Sequence, residues 1–113
     1  MNRLVLSAQL LERGAMRYTP AGLLAIDCRL QHASTVSEDR QPRQVSLEIK
    51  ALAIGDTARA LGALVLGQSA CFAGFLSTAR NGRGQLFHIT DLTPGEICFQ
   101  TAPSSQSDST ADA

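Results

Sequence analysis

Apolar and polar residues alternate with a period of two along much of the chain. The alternation is strict from Leu24 to His32: one face has leucine, isoleucine, cysteine and the final histidine, and the other has alanine, aspartate, arginine and glutamine. The same period runs through Arg3 to Glu12, with one exception at Val5, and through Gln44 to Ala51. Successive side chains of a β-strand point to opposite faces, so these segments predict three half-buried strands.

A short helix and two further strands are predicted in the second half. Gly55 precedes Asp56 and Thr57, and a carboxylate at that position can accept hydrogen bonds from free N–H groups of a first helical turn. The helix is expected to last two or three turns, because glycines follow it. Segments Gln68 to Thr78 and Leu86 to Leu92 return to strand-forming composition.

Glycine, proline and polar residues mark the connections between these elements. Thr19 to Gly22, Asn81 to Gly84 and Pro94-Gly95 predict turns. Ala33 to Arg43 is rich in polar residues and predicts a solvated hairpin loop. Gly74, inside the fourth predicted strand, predicts a bulge or a sharp bend.

Five strands with one helix between the third and the fourth is the element order of an OB-fold, a partly open Greek-key barrel. We therefore predict an all-β chain with an OB-fold domain at residues 1–96. Residues 97–113 contain no large apolar residue after Phe99, and a segment of this composition cannot bury enough surface to become ordered. We predict a disordered C-terminal tail there.

The length and charge of the chain exclude some classes of function. A chain of 113 residues is too short for a two-domain enzyme, and ten basic and ten acidic side chains leave no bulk basicity to attract nucleic acid. Thr101 to Ala113 hold two of the acids and no base, so the remainder has ten basic against eight acidic side chains, a net of +2. No apolar run of membrane-spanning length and no signal-peptide pattern occurs, which favours the cytoplasm and no membrane association.

Cysteine and histidine spacing argues against metal binding. Cys28, Cys71 and Cys98 are far apart and odd in number, which predicts free thiols rather than a disulfide framework or a zinc ribbon. His32 lies on the same strand face as Cys28, and His88 could approach Cys71, but isolated residues on an apolar face predict core packing. We expect no metal and no cofactor.

No arrangement of catalytic residues is predicted. Asp27 and Glu48 could oppose each other across two strands as a hydrolytic carboxylate pair, but Arg29 and Lys50 share their faces and favour a lattice of ion pairs. The chain has neither a G-x-S-x-G nucleophile motif nor a glycine-rich phosphate loop before the helix. We expect a binding protein and not an enzyme.

Several short motifs, taken in their order and spacing over roughly residues 2 to 93, resemble the family of primosomal replication protein N, PriB. They are Asn2 to Ser7, Arg17 to Gly22, Leu30 to Ser34, Arg43-Gln44, Gly74 to Ser77 and Arg80 to Gly82. The resemblance implies a homodimeric OB-fold that binds single-stranded DNA. It also implies a role in replication restart through contacts with a primosomal helicase and a helicase-loader partner protein, without catalytic activity.

The resemblance, carried over by position, also implies a set of DNA contacts in the loops. They are Arg17 before the first turn, Arg40 and Arg43 between strands two and three, and Arg80 and Arg83 between strands four and five. The last two have no acid nearby in sequence and flank a glycine-rich turn, so they are the stronger pair. Family members carry lysines and aromatic residues in these loops. This chain has arginines instead, and its segment Gln41 to Ser46 contains no aromatic side chain.

Aromatic residues are scarce for a protein that binds single strands, which normally stack their bases on rings. The chain has one tyrosine, four phenylalanines and no tryptophan. Phe72 and Phe75 are expected in the core, which leaves Tyr18 as the best stacking platform and Phe87 as the next. This scarcity predicts weaker binding than in an aromatic-rich relative.

Two alternatives remain open at this stage. An OB-fold module that binds another protein, with little or no nucleic-acid binding, would explain the neutral charge and the few rings. A generic single-strand-binding protein would carry an acidic C-terminal peptide with a bulky apolar residue. The end of this chain, Ser109 to Ala113, has no such residue, which disfavours that second alternative.

Overall fold

A computed structural model describes residues 1–79 and 82–95. The elements in chain order are β1 (Leu4–Arg13), β2 (Arg17–Tyr18), β3 (Leu24–Glu38), β4 (Gln41–Ile54), α1 (Asp56–Gly62), β5 (Ser69–Thr78) and β6 (Gln85–Pro94). The predicted disordered tail, residues 97–113, lies outside the described residues. Within those residues no helix has the length and apolar character that crossing a membrane would require.

Strands β1, β3, β4, β6 and β5 pair in that order and close into a barrel, because β5 pairs again with β1. All of these pairs are antiparallel except β4 with β6, which is parallel. Helix α1 joins β4 to β5, the third and fourth strands of the barrel. The prediction of a five-stranded OB-fold barrel with one short helix is therefore confirmed, with the two-residue strand β2 added at the edge of β3.

The barrel interior is filled by apolar side chains from every barrel strand and from the helix. The largest fully buried ones include Phe72 of β5, Phe87 of β6 and Leu61 of α1. The prediction that Phe87 could serve as a stacking platform is wrong, because the alternation of β6 turns Phe87 and Ile89 inward. The ring of Phe87 is therefore part of the hydrophobic core.

The hairpin of β3 and β4 is longer than predicted. Both strands continue through the segment predicted as a loop, Ala33 to Arg43, and a two-residue turn at Asp39 and Arg40 connects them. These two residues have φ values of 51° and 65°, as the short turns that fit the right-handed twist of a hairpin require. The polar composition of the segment reflects solvent on both faces of a projecting arm (residues 33–46) and not irregular backbone.

The start of α1 differs from its prediction. Gly55, with φ of 75°, is the N-cap residue, and no side chain caps the helix. Asp56 instead accepts a hydrogen bond from Arg59 at 2.8 Å, and Thr57 donates to the carbonyl of Thr90 at 3.1 Å. Thr57 therefore ties the helix to β6, while the Asp56 carboxylate that was predicted to cap the helix is bound to Arg59 instead.

Gly74 allows two strands to approach closely. The β5–β6 register shifts between Ala73 and Gly74, which confirms the predicted bulge. A Cβ atom at Gly74 would lie 1.8 Å from the carbonyl oxygen of His88. Glycine is required here because any other side chain would collide with the backbone of β6.

The cysteines divide into two kinds. Cys28 is a buried free thiol, as predicted. Cys71 is fully buried and disulfide-bonded, so the prediction of a free thiol is wrong there. Cys98 lies outside the described residues. Within the described part of the chain, no three His, Cys, Asp or Glu side chains are grouped so as to hold a metal ion.

Candidate nucleic-acid interface

The outward side of the barrel carries two neighbouring rows of side chains, which we call the outer face. Strand pairing places Leu86, Lys50, Arg29 and Glu12 side by side across β6, β4, β3 and β1. The second row runs Phe75, His88, Leu52 and Asp27 across β5, β6, β4 and β3. A cationic row thus lies beside an aromatic and apolar row.

A depression of about 340 Å³ opens in the cationic part of the outer face. Arg13, Arg29 and Lys50 line it together with the carboxylates of Glu12 and Asp27. Cys28 and Ala51 also contribute to its lining. A concavity with several cationic groups at its rim can hold phosphate groups, and its apolar floor can accept part of a base or sugar.

Carboxylates neutralise part of this positive charge. Arg29 is paired with Glu48 at 2.6 Å and lies 3.8 Å from Glu12. Lys50 has no ion pair within residues 1–79 and 82–95, and it is exposed. The predicted ion pairing is therefore confirmed for Arg29 and Glu48 but not for Lys50, which has no acidic partner in the described residues and is available to a ligand.

A second depression, of about 250 Å³, adjoins the aromatic part of the outer face. Its lining includes Leu52, Ile54, Phe75 and His88. The Phe75 and His88 rings stack in parallel, with centroids 4.6 Å apart and planes inclined by 8°. Phe75 is 40% exposed, which is unusual for a phenylalanine and offers a flat apolar surface to a nucleobase.

The prediction that Phe75 belongs to the core is wrong. Phe72 faces the interior, and three residues further along a strand the side chain points to the opposite face. Strict application of the period of two to β5 would have assigned Phe75 to the outside. The sequence contained this signal, but the hydrophobicity of phenylalanine outweighed it in the prediction.

Arg17 and Tyr18, predicted as DNA contacts, form β2 beside the outer face. Arg17 reaches Asp27 of the second row, with Nη1 2.6 Å from Oδ2. Tyr18 is 72% exposed, which fits its predicted use as a stacking platform. The structure therefore brings Arg17 to the outer face and leaves the ring of Tyr18 accessible at its edge.

The other predicted arginines are not gathered at one place. Arg40 occupies the tip of the projecting arm, and Arg43 lies in β4, where its Nε is 3.1 Å from Glu38. Arg83 is exposed in the connection before β6, and Arg80 lies outside the described residues. The arm and the β5–β6 connection are separate positions from which a strand on the outer face could be reached.

Arg3 is a further cation that the sequence analysis did not single out. The Asn2 side chain makes two hydrogen bonds to the backbone of Leu76, at 2.7 and 3.0 Å, and Leu4 pairs with Gly74. Arg3 is thereby placed next to Phe75 at the margin of the outer face. Within the described residues it has no acidic partner.

Comparison with known proteins shows the family of this chain. A family model described as another single-strand binding protein family matches residues 2–91. The replication restart protein PriB of Bordetella pertussis is 51% identical over 80 residues, which cover 71% of this chain and 75% of that protein. The chain belongs to the PriB family. The PriB protein of Nitrosomonas europaea, 30% identical over 91 residues, covers 80% of this chain and 84% of its own.

Solved structures extend the likeness to the fold. PriB from Ralstonia solanacearum superposes with a TM-score of 0.76 at 39% identity, covering 83% of this chain and 97% of that one. The single-stranded DNA binding protein from Thermus aquaticus gives 0.66 at 27% identity over 85% of this chain and 50% of its own. Membership of the PriB family confirms the resemblance that the sequence motifs indicated, and it places the chain among binding proteins and not enzymes.

Proposed function

We propose that this PriB family member binds single-stranded DNA across its outer face and serves as an accessory protein of replication restart. The observation that carries the proposal is the exposed ring of Phe75, stacked flat on His88 beside a cationic depression. Proteins that bind single strands combine such a ring with positive charge along the strand path. The names of its relatives support the same role.

In this proposal the cationic part of the outer face binds phosphates and its aromatic part binds a base. Lys50 and Arg3, which have no acidic partner in the described residues, meet phosphates, while a base stacks on Phe75. Tyr18 supplies a second ring at the β2 edge. Base–aromatic stacking contributes roughly 1 to 3 kcal/mol per base, so two rings add modestly to the free energy of DNA binding.

The predicted loop contacts extend the path beyond the outer face. We propose that Arg40 at the tip of the arm and Arg80 and Arg83 before β6 add phosphate contacts on either side. Arg17 and Arg43 have carboxylate partners at 2.6 and 3.1 Å, so each must exchange a carboxylate for a phosphate when DNA binds. Binding through these two arginines therefore gains less than binding through an unpaired cation.

We further propose a homodimer formed through β1, together with contacts to a primosomal helicase and a helicase-loader partner protein. Residues Leu4 to Gln9 pair with β5, whereas pairing with β3 starts only at Gln9. The other edge of Leu4 to Ala8 thus has no strand partner within the described residues. An open strand edge with the exposed apolar side chain of Val5 can pair with a second copy.

Ion pairing on the outer face favours a second candidate, a module that binds a protein through this surface. Arg17 and Arg29 are held by carboxylates at 2.6 Å, and a mixed-charge surface of this kind suits a protein partner. Phe75 would then insert into the partner instead of stacking on a base. The two candidates differ in whether the isolated protein binds oligonucleotides.

Fluorescence anisotropy with labelled single-stranded and duplex oligonucleotides at two salt concentrations tests the proposal. We expect the single strand to bind more tightly than the duplex, with affinity that falls as salt rises. Lys50→Ala should weaken binding and reduce the salt dependence, whereas Thr78→Ala should change neither, because Thr78 lines neither depression. Absence of single-strand binding, or equal binding of duplex, would instead favour the protein-interaction module.

A further inference from the structure

We infer that His88 and Ser77 are positioning residues that hold Phe75 in the orientation needed to stack a base. The inference rests on the proposed single-strand binding and adds a mechanism to it. It assigns His88 no direct contact with DNA. Ser77 fixes the imidazole ring, and the imidazole fixes the phenyl ring.

Ser77 anchors the imidazole by a hydrogen bond. Ser77 Oγ lies 2.8 Å from His88 Nε2, and both side chains are partly buried. A hydrogen bond to one ring nitrogen sets the rotation of the imidazole about its side-chain bonds, because the bond is made at only one ring orientation. The plane of the imidazole is therefore fixed although the ring lies at the surface.

The fixed imidazole then determines the plane of Phe75. The two residues are directly paired across β5 and β6, and their rings are parallel within 8°. Gly74, the residue before Phe75, lets the backbone of His88 come close to β5, since a Cβ atom there would lie 1.8 Å from the His88 carbonyl oxygen. The close approach of the strands and the anchor on Ser77 together leave Phe75 one favoured orientation.

A platform fixed before binding gains affinity, because the ring loses little rotational freedom when a base arrives. An ordinary cross-strand pair would stabilise the sheet without needing an anchored ring. The exposure of Phe75 and the hydrogen bond between Ser77 and His88 both distinguish this arrangement from simple sheet packing.

A double-mutant cycle with a single-stranded oligonucleotide containing 2-aminopurine tests the inference in the full-length protein. Phe75→Ala should weaken binding about 5- to 150-fold, the loss of one base–aromatic stack, and should abolish quenching of 2-aminopurine. Ser77→Ala should weaken binding about 2- to 5-fold and partly relieve the quenching in the otherwise unchanged protein. The same Ser77→Ala change should cost nothing in the Phe75→Ala background, because Ser77 acts through that ring.

Two further variants and one control complete the design. Ser77→Thr keeps the hydroxyl and should restore wild-type affinity, whereas His88→Phe keeps a ring but cannot bond to Ser77 and should reproduce the loss. Thr78→Ala is the matched control for an exposed β5 hydroxyl and should have no effect. Thermal unfolding of each variant shows whether the barrel is intact, and His88→Phe provides the measurement if Ser77→Ala folds poorly.

The possible results separate this inference from the proposed function. Equal losses from Ser77→Ala with and without Phe75, or no loss in either background, would overturn the positioning role while leaving DNA binding in place. Unchanged affinity in Phe75→Ala would instead refute the stacking surface on which the inference rests. Loss of affinity confined to proteins that retain Phe75 would support it.

Discussion

Arg29 Nη2 donates a hydrogen bond to Glu48 Oε1 at 2.6 Å, in the middle of the face on which we place DNA. Glu12 approaches the same guanidinium to 3.8 Å. The side chains of Arg29 and Glu48 are 43% and 47% exposed, so water screens the pair and its strength is modest. A phosphate that binds Arg29 has to compete with a carboxylate already present.

Replacement of Glu48 by glutamine should therefore strengthen single-strand binding. The change removes a negative charge from the phosphate path and releases Arg29, and the gain should be about 0.5 to 1 kcal/mol, or roughly 2- to 5-fold in affinity. Anisotropy at low salt measures it. Glu38→Gln, which releases Arg43 on the projecting arm, is the matched comparison. Weaker binding in Glu48→Gln would mean that the carboxylate holds Arg29 in its binding position.

Alanine at position 74 should destabilise the barrel. Its Cβ atom would lie 1.8 Å from the His88 carbonyl oxygen, which is backbone and cannot move aside cheaply. Overpacking of this kind costs about 1 to 3 kcal/mol, which lowers the melting temperature of a domain this size by about 4 to 8 °C per kcal/mol. Circular dichroism during heating measures the shift.

Gly14→Ala is the control for that experiment. A Cβ atom at Gly14 would meet the Asp27 carbonyl oxygen at 3.5 Å, an ordinary contact, so its effect should be within about 0.5 kcal/mol. Similar melting temperatures for the two variants would show that β6 can retreat from β5, and the Phe75–His88 stack would then not depend on the glycine.

The architecture could be predicted from the sequence because β1, β3 and β4 largely keep a period of two, while β5 and β6 could be recognised by their strand-forming composition. Leu24 to His32 alternates without exception, and the strands and helix follow in an order typical of an OB-fold. The extension of the β3–β4 arm could not be predicted in the same way. Its strands are solvated on both faces, so they carry no apolar alternation to distinguish them from a loop.

The candidate site was predicted less well, for two physical reasons. Phe75 and Phe87 were assigned by residue type, but their exposure depends on which strand face they occupy, and the structure exchanges their roles. Arg17 and Arg29 have carboxylate partners on other strands, at 2.6 Å in each case, and strand register determines those pairs. The alternation along each strand, which determines the face of each phenylalanine, could be read from the sequence. The register between neighbouring strands, which determines the ion pairs, could not.

The stability of the fold should fall at alkaline pH because the thiol of Cys28 is buried. Burial, and secondarily the negative charge of Asp27, raise the pKa of this thiol from 9.0 to about 12, against a smaller opposing effect of Arg13. The unfolded thiol ionises near pH 9 and the folded one does not, so the unfolded chain binds fewer protons between these values. The contribution to stability is complete below pH 9 and declines as pH rises toward 12.

Urea unfolding of the wild type and of Cys28→Ala at pH 8, 9 and 10 tests this expectation. The wild type should lose stability relative to the variant, with a slope approaching about 1.4 kcal/mol per pH unit above pH 9. The difference between the two proteins cancels the titration of the other groups. Parallel curves would mean that the thiol is hydrated in the folded state.

Replacement of both Arg80 and Arg83 by alanine should flatten the salt dependence of DNA binding. If each arginine meets one phosphate, the slope of log affinity against log salt should fall by about 1.4, at about 0.7 per phosphate for single strands. Exposed loop substitutions usually change stability by no more than about 0.5 kcal/mol, so the barrel should remain folded. An unchanged slope in the folded variant would move the outer contacts to Arg17, Tyr18 and the projecting arm.

Proline at position 5 should separate the proposed dimer. The Ser7 carbonyl faces His32 Nδ1 at 2.6 Å, on the side away from β5. The backbone N–H and C=O of a residue in an antiparallel ladder point to the same side, and that side alternates, so Val5 also directs its N–H to the open edge of β1. Val5→Pro removes one donor from that edge and spares the ladder with β5.

Light scattering of the Val5→Pro variant should then give the 12.0 kDa chain mass instead of twice that value, whereas Val5→Thr should remain dimeric. A dimer that survives Val5→Pro would exclude the β1 edge as its interface.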